Sequence, residues 1–141
     1  MHTGDHVPDL RVTPDRYLPH RYAGASLDFN PIHIDPEAAQ AAGLPGNVLH
    51  GLYTMAVLAR SVGELAAGDP GALRSLEVEF TDVAVPGTEF ATVGEVTEVA
   101  DGRASVDASV VQDGTTVVRG RAEMDDTDPS EKDPSDTGSR R

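Results

Sequence analysis

Apolar and polar residues alternate at period two through Leu76-Glu77-Val78-Glu79-Phe80-Thr81, the pattern of a half-buried strand. Val85-Pro86-Gly87 then breaks the chain, and three further strand-like runs follow at about 89–99, 103–112 and 115–124. Asp101-Gly102 and Asp113-Gly114 join them, and Asp-Gly between such runs signals a tight hairpin. The pattern predicts an antiparallel meander. Small residues supply much of its inward face (Ala104, Val106, Ala108, Val110, then Val118, Gly120, Ala122), which would let a helix lie close. That helix is expected from Val48 to about Ala67. Val48, Leu52, Met55, Ala59, Val62 and Ala66 step by fours and threes along one face, and Leu49, Ala56, Val57, Leu58 and Leu65 widen it. An element apolar nearly all round belongs inside a structure, and Gly68-Asp69-Pro70-Gly71 ends it. The expected class is α+β, a sheet wrapped around one central helix.

Composition narrows the functional classes. The 141 residues suit one domain. With no Trp, three Phe and three Tyr, the core must come from Val, Leu, Ala and Met. No run approaches the ~18 apolar residues of a membrane span. The start, MHTGDHVPDL, lacks the basic-then-apolar pattern of a secretory signal. The absence of cysteine excludes disulfides, thiolate metal sites and a thiol nucleophile. A cytoplasmic protein is expected. The net charge of −13 argues against nucleic acid as a partner. Part of it lies in DDTDPSEKDPSDTGSRR from Asp125 onward, which holds no aliphatic residue and is expected to be a disordered acidic tail (125–141) behind a domain spanning 1–124.

The candidate chemistry sits between Tyr22 and Tyr53. Pro31 and Pro36 forbid a continuous helix and push Asn30 and Asp35 toward extended geometry. Asp28, Asn30 and His33 therefore share a stiff, irregular segment of the kind that carries function on a rigid scaffold. Asp35 reads as the N-cap of a short helix from Pro36 to about Ala42, so it is not counted as catalytic. Asn47-Val48-Leu49-His50-Gly51-Leu52 falls at the start of the long helix, where backbone N–H groups are unpaired. Gly51 would let a ligand approach its N–H, as an oxyanion hole requires. Each residue also has a plainer role open to it: packing for His33, capping for His50 or Asp28, tight packing for Gly51. Two histidines and several aspartates raise metal binding, but no pair shows a recognised zinc spacing, so no metal is expected.

Taken together, YAGASLDFNPIHIDPEAAQAAGL and VLHGLYTM resemble the signature of the MaoC-like, hydratase-2 family. The matching residues are Tyr22, Ala23, Ser26, Asp28, Asn30, Pro31, Ile32, His33, Asp35, His50 and Gly51, within a likeness running from about residue 17 to 124. The resemblance implies a hot-dog fold and (R)-specific hydration of trans-2-enoyl thioesters, or the reverse dehydration of (R)-3-hydroxyacyl thioesters. Asp28 and His33 would hold the water, Asn30 would orient them, and the Gly51 N–H would bind the thioester oxygen. His50, Leu52 and Tyr53 would border the substrate, with Met55 near the acyl tunnel. No cofactor is implied, because the acyl group arrives on coenzyme A or acyl carrier protein. Arg16, Arg21, Arg60 and Arg74 are candidates for meeting that carrier. Family members work as paired hot-dog domains, so a homodimer or a heterodimer with a second hot-dog subunit is implied. The stretch Gly68–Phe80 looks like the catalytic subunit of heterodimeric fatty-acid-elongation dehydratases. A hot-dog thioesterase, a non-catalytic partner subunit and an acyl-binding module are the alternatives. One departure stands beside Asp28: the family usually has Gly where this chain has Leu27, which would be strained if that position takes a positive φ.

Overall fold

The computed structural model describes residues 1–126. Strands β1 (Arg11–Val12), β2 (Leu73–Phe80), β3 (Phe90–Ala100), β4 (Arg103–Gln112) and β5 (Thr115–Asp125) form one antiparallel sheet in the order β1-β3-β4-β5-β2. Both expected hairpins are present. Ala100 faces Arg103 and Gln112 faces Thr115, leaving two-residue loops. Asp101, Gly102, Asp113 and Gly114 all take φ between 49° and 76°, the paired left-handed conformation that a type I′ turn needs.

The inward face of the meander is apolar and small, as its pattern predicts. Ala104, Val106, Ala108, Val110, Val118 and Ala122 are buried against the helix. Gly120 marks the closest approach, since a Cβ there would lie 2.9 Å from Leu58 Cδ2. The helix, α4, runs Gly51–Gly63 and continues as a 3₁₀ turn over Glu64–Ala66. Sheet around helix is the hot-dog arrangement.

Two expectations about this helix need correction. It begins at Gly51, not Val48, because Val48 and Leu49 are already committed elsewhere: the Leu49 N–H donates to Ala84 O and the Val48 carbonyl accepts from His33. The buried face is also rotated from the expected seam. Thr54, Val57, Leu58, Ser61 and Val62 are buried, whereas Leu52 is 62% exposed and Met55 and Ala59 are only partly covered. A helix apolar on most of its circumference does not itself specify which side meets the sheet.

The sheet's two edges differ. Residues 4–12 run beside β3, with Gly4 N–H donating to Val96 O, Val7 N–H to Gly94 O and Thr92 N–H to Leu10 O. Buried Ser61 donates to Pro8 O at 2.7 Å and touches Thr92 Oγ1, which accepts the Leu10 N–H. At the other edge β2 pairs, among the described residues, with β5 alone, and its Leu76 and Val78 are half-buried as the alternation predicts. The domain also extends past residue 124. Asp125 closes β5 and pairs with Arg74, which holds its carboxyl below the usual range, and the Asp126 N–H donates to Gly102 O. The remaining expected tail, 127–141, lies outside the described residues.

Between β1 and α4 lie α1 (Leu18–Ser26), α2 (Pro31–Ile34) and α3 (Pro36–Ala41). Asp35 caps α3 as expected, its Oδ1 accepting from Glu37 and Ala38 N–H with Pro36 at the first position.

Candidate active site

Asp28 stands on the reversal that ends α1. Leu27, the residue after the helix, takes φ 61° and ψ 20°, the left-handed conformation expected of the usual family glycine. Three neighbours then hold Asp28. Ser26 Oγ accepts its N–H at 3.3 Å, the Asn30 N–H donates to its Oδ1 at 3.2 Å, and His50 Nε2 lies 3.0 Å from its carbonyl oxygen. A carbonyl can only accept, so that His50 nitrogen carries the hydrogen. Backbone N–H, backbone C=O and Oδ1 are thus occupied. Oδ2 faces His33 Nε2 at 3.9 Å.

His33 is delivered by α2, whose start is fixed by Pro31 and by Asn30 Oδ1 accepting the Ile32 N–H. Its ring is buried, and Nδ1 lies 2.8 Å from Val48 O. Nδ1 therefore bears a hydrogen, and Nε2 is the nitrogen turned toward Asp28. At 3.9 Å the two groups are too far apart for a direct hydrogen bond, yet one water could lie about 2.8 Å from each. Asn30 touches both segments. Its side chain caps α2, and its main-chain N–H is what reaches Asp28.

His50 is the N-cap residue of α4, and its ring stacks on His33 with centroids 3.8 Å apart and planes 21° from parallel. The first N–H of α4 to reach back is that of Tyr53, to His50 O, so Gly51 and Leu52 precede the helical ladder with their N–H groups at its positive end. A pocket of about 230 Å³ opens here, lined by Tyr22, Ser26, Asp28, His50, Gly51, Leu52 and Phe80. Phe80 reaches it from the end of β2 and rests on Gly51, where a Cβ would meet its ring at 2.9 Å. Tyr53 lies behind this wall, edge-on to Tyr22 and Phe90, and burial raises the pKa of its hydroxyl from the ordinary tyrosine value. Met55 does not line the pocket. Phe80 carries no local signal in the sequence that ties it to Asp28. Tyr22 and Ser26 stand in the motif, but only the fold shows the one lining the pocket and the other bracing Asp28.

Asp28, His33 and His50 also place ligand-type atoms within 4.8 Å of one another. The stacking works against a shared ion. Lone pairs lie in the ring planes, and an ion about 2.1 Å from both nitrogens would have to lie in two planes that run nearly side by side. Of the arginines considered for a carrier, Arg21 is held by Asp15 and Arg74 by Asp125, while Arg16 lies over the Tyr17 ring.

A family model described as MaoC like domain matches residues 3–118. The chain is 35% identical over 120 residues to fatty acid synthase subunit beta of Aspergillus oryzae, which covers 82% of this chain and 6% of that protein. It is 32% identical over 124 residues to a probable enoyl-CoA hydratase 2 of Dictyostelium discoideum, covering 81% of this chain and 42% of the other. The chain thus spans well under two thirds of these relatives. Its fold matches a chain of the ChsH1-ChsH2 complex from Mycobacterium tuberculosis with TM-score 0.79 and 23% identity, over 88% of this chain and 97% of that one. With its sheet-wrapped helix and a family match across most of its length, the chain belongs to the MaoC-like domain family.

Proposed function

We propose that this protein is a hydro-lyase that adds water to trans-2-enoyl thioesters with (R) stereochemistry, or removes it from (R)-3-hydroxyacyl thioesters. The observation that carries this reading is the 3.9 Å gap across which Asp28 Oδ2 and His33 Nε2 face each other, while Oδ1 and Nδ1 are engaged by Asn30 and Val48. A water in that gap donates one hydrogen to each. In hydration its oxygen bonds to Cβ while His33 Nε2 takes a proton. The displaced electron pair moves onto the thioester oxygen, where the Gly51 N–H stabilises it. The imidazolium then returns its proton to Cα, so one water is consumed and the enzyme is regenerated. Positioned acid–base groups contribute ~10²–10⁴-fold and a backbone oxyanion donor ~10²–10³-fold.

A second hot-dog subunit, a copy of this chain or a related one, completes the enzyme in this reading. Leu27 and Phe29 flank Asp28, Leu52 and Phe80 line the pocket, all four are exposed in the single chain, and Phe80 ends β2, an edge strand among the described residues. The relative from M. tuberculosis is itself a two-protein complex. With the chain strongly acidic and Arg21 and Arg74 already paired, that subunit would supply basic surface for an acidic carrier. The test is to mix the purified protein with a short trans-2-enoyl-CoA and, separately, with the same acyl group on acyl carrier protein. Loss of enoyl absorbance without free thiol supports hydration. Release of thiol would make the protein a thioesterase. Native mass, with and without co-purifying chains, reports the partner.

A further inference from the structure

Resting on that reading, we infer that His50 is a positioning residue, which fixes Asp28 by donating from Nε2 to the Asp28 carbonyl. Its ring forms part of the pocket wall, but neither ring nitrogen is placed to act on substrate. The residue is 3% exposed, its Nε2 is 3.0 Å from that oxygen, and its Nδ1 is buried with no partner among the described residues. With Nε2 engaged by the Asp28 carbonyl and Nδ1 buried, His50 has no nitrogen free to exchange a proton with substrate, whereas His33 keeps Nε2 facing Asp28. The orphan Nδ1 also constrains the tautomer. A hydrogen there would be a buried donor with no acceptor, so the lone pair belongs on Nδ1 and the hydrogen on Nε2.

The position suits the task. Asp28 sits in an exposed turn with no strand or helix to hold its carbonyl, just after a residue in the left-handed region. His50 is itself held as the N-cap of α4, between the rings of His33 and Tyr22. One side chain thereby ties both members of the pair to the long helix: Asp28 through a hydrogen bond and His33 through ring contact.

Two substitutions separate the hydrogen bond from the packing. His50→Gln places an amide N–H near the original Nε2 but removes the ring. His50→Phe keeps a stacked ring but removes the donor. The expected result is a kcat about 10–100-fold lower for H50F, with KM little changed, as for other residues that orient a reacting group. H50Q should turn over at least about tenfold faster than H50F. The reverse order, or equal loss in both folded variants, overturns the inference and leaves His50 as packing. If H50F does not fold, long-range ¹H–¹⁵N correlations of the histidine rings in the wild-type protein decide: hydrogen on Nε2 is expected, and hydrogen on Nδ1 would overturn the assignment. Asp28→Asn is the control for the reading beneath. Near-normal turnover in D28N removes the acid–base pair itself, whereas loss in D28N with the wrong order at position 50 removes only the role of His50.

Discussion

The meander and the segment from Tyr22 to Tyr53 place their polar groups in different ways. In β3, β4 and β5 the backbone groups pair in long registers, and the inward side chains are small, apolar and buried. In the other segment Ser26 accepts a hydrogen bond from one residue, Asp28, and Asn30 and His50 donate to it, while Leu27, Phe29 and Leu52 stay exposed. One region buries area and the other fixes a carboxylate. The division has a measurable consequence: changes in the meander should be read in unfolding, and changes around Asp28 in turnover.

Asp28→Asn is the largest expected effect. The amide keeps an oxygen for the Asn30 N–H but gives up the negative charge at the water site. Turnover of a trans-2-enoyl thioester should fall by ~10²–10⁴-fold. The side chain is half exposed, so Tm should move by no more than about 3 °C, the scale of a surface substitution. Normal turnover, or a collapse in Tm, would erase the contrast between the two regions.

Gly94→Ala is its mirror in the meander. A Cβ at Gly94 would lie 2.5 Å from Asp107 O and 2.7 Å from Ala108 Cα, both backbone atoms of β4 that cannot step aside. Unfolding in urea should show a loss of about 3 kcal/mol, the upper end for overpacking. At low temperature the folded fraction should keep the wild-type kcat, because Gly94 does not line the pocket. A kcat that fell with stability would mean that the sheet transmits strain to the site.

The sequence makes parts of each region legible for different reasons. Asp101-Gly102 and Asp113-Gly114 predict both hairpins because turn chemistry is local, and two left-handed residues in succession leave few other choices. Asp35-Pro36 is local in the same way. The Asp28–His33 pair is legible through the resemblance, since residue spacing alone leaves their approach undetermined. Other features were out of reach. Period-two alternation reports which face of a strand is apolar, not its neighbours, so it does not reveal that β2 is an edge or that residues 4–12 cover the opposite one. Apolar positions around α4 do not reveal that Leu52 is left uncovered. The direction of His50 depends on Asp28 and His33 arriving from another part of the chain.

Gly51→Ala joins the two regions, because Gly51 belongs to the site and Phe80 to the scaffold. The new methyl would lie 2.9 Å from Phe80 Cε1, a contact the half-exposed ring can relieve by swinging aside. The stability cost should be about 1 kcal/mol, the low end for overpacking. The displaced ring changes the pocket wall, so KM should rise about tenfold, equivalent to roughly 1.4 kcal/mol of lost binding. Adding Phe80→Ala should recover stability in a double-mutant cycle. Strictly additive losses would show that the two residues do not meet in solution.

Leu27→Gly should give the smallest effect, and it is the only one expected to stabilise. Leu27, Asp101 and Asp113 all have positive φ, but the aspartates tolerate that region, whereas for Leu it costs roughly 1–2 kcal/mol. With 78% of its surface exposed, the Leu27 side chain buries little in the single chain to offset that strain. Glycine removes the strain and gives back about 0.5–1 kcal/mol through the greater freedom of the unfolded chain. The net gain should be about 0.5–1 kcal/mol, a rise in Tm of roughly 2–5 °C. Thermal unfolding at several protein concentrations makes the test informative in both directions. A gain independent of concentration means that Leu27 is strained and uncovered, and the two regions differ as the single chain suggests. A loss that deepens as protein concentration rises means that the Leu27 side chain is buried by another subunit, with the strain beside Asp28 offset at that interface.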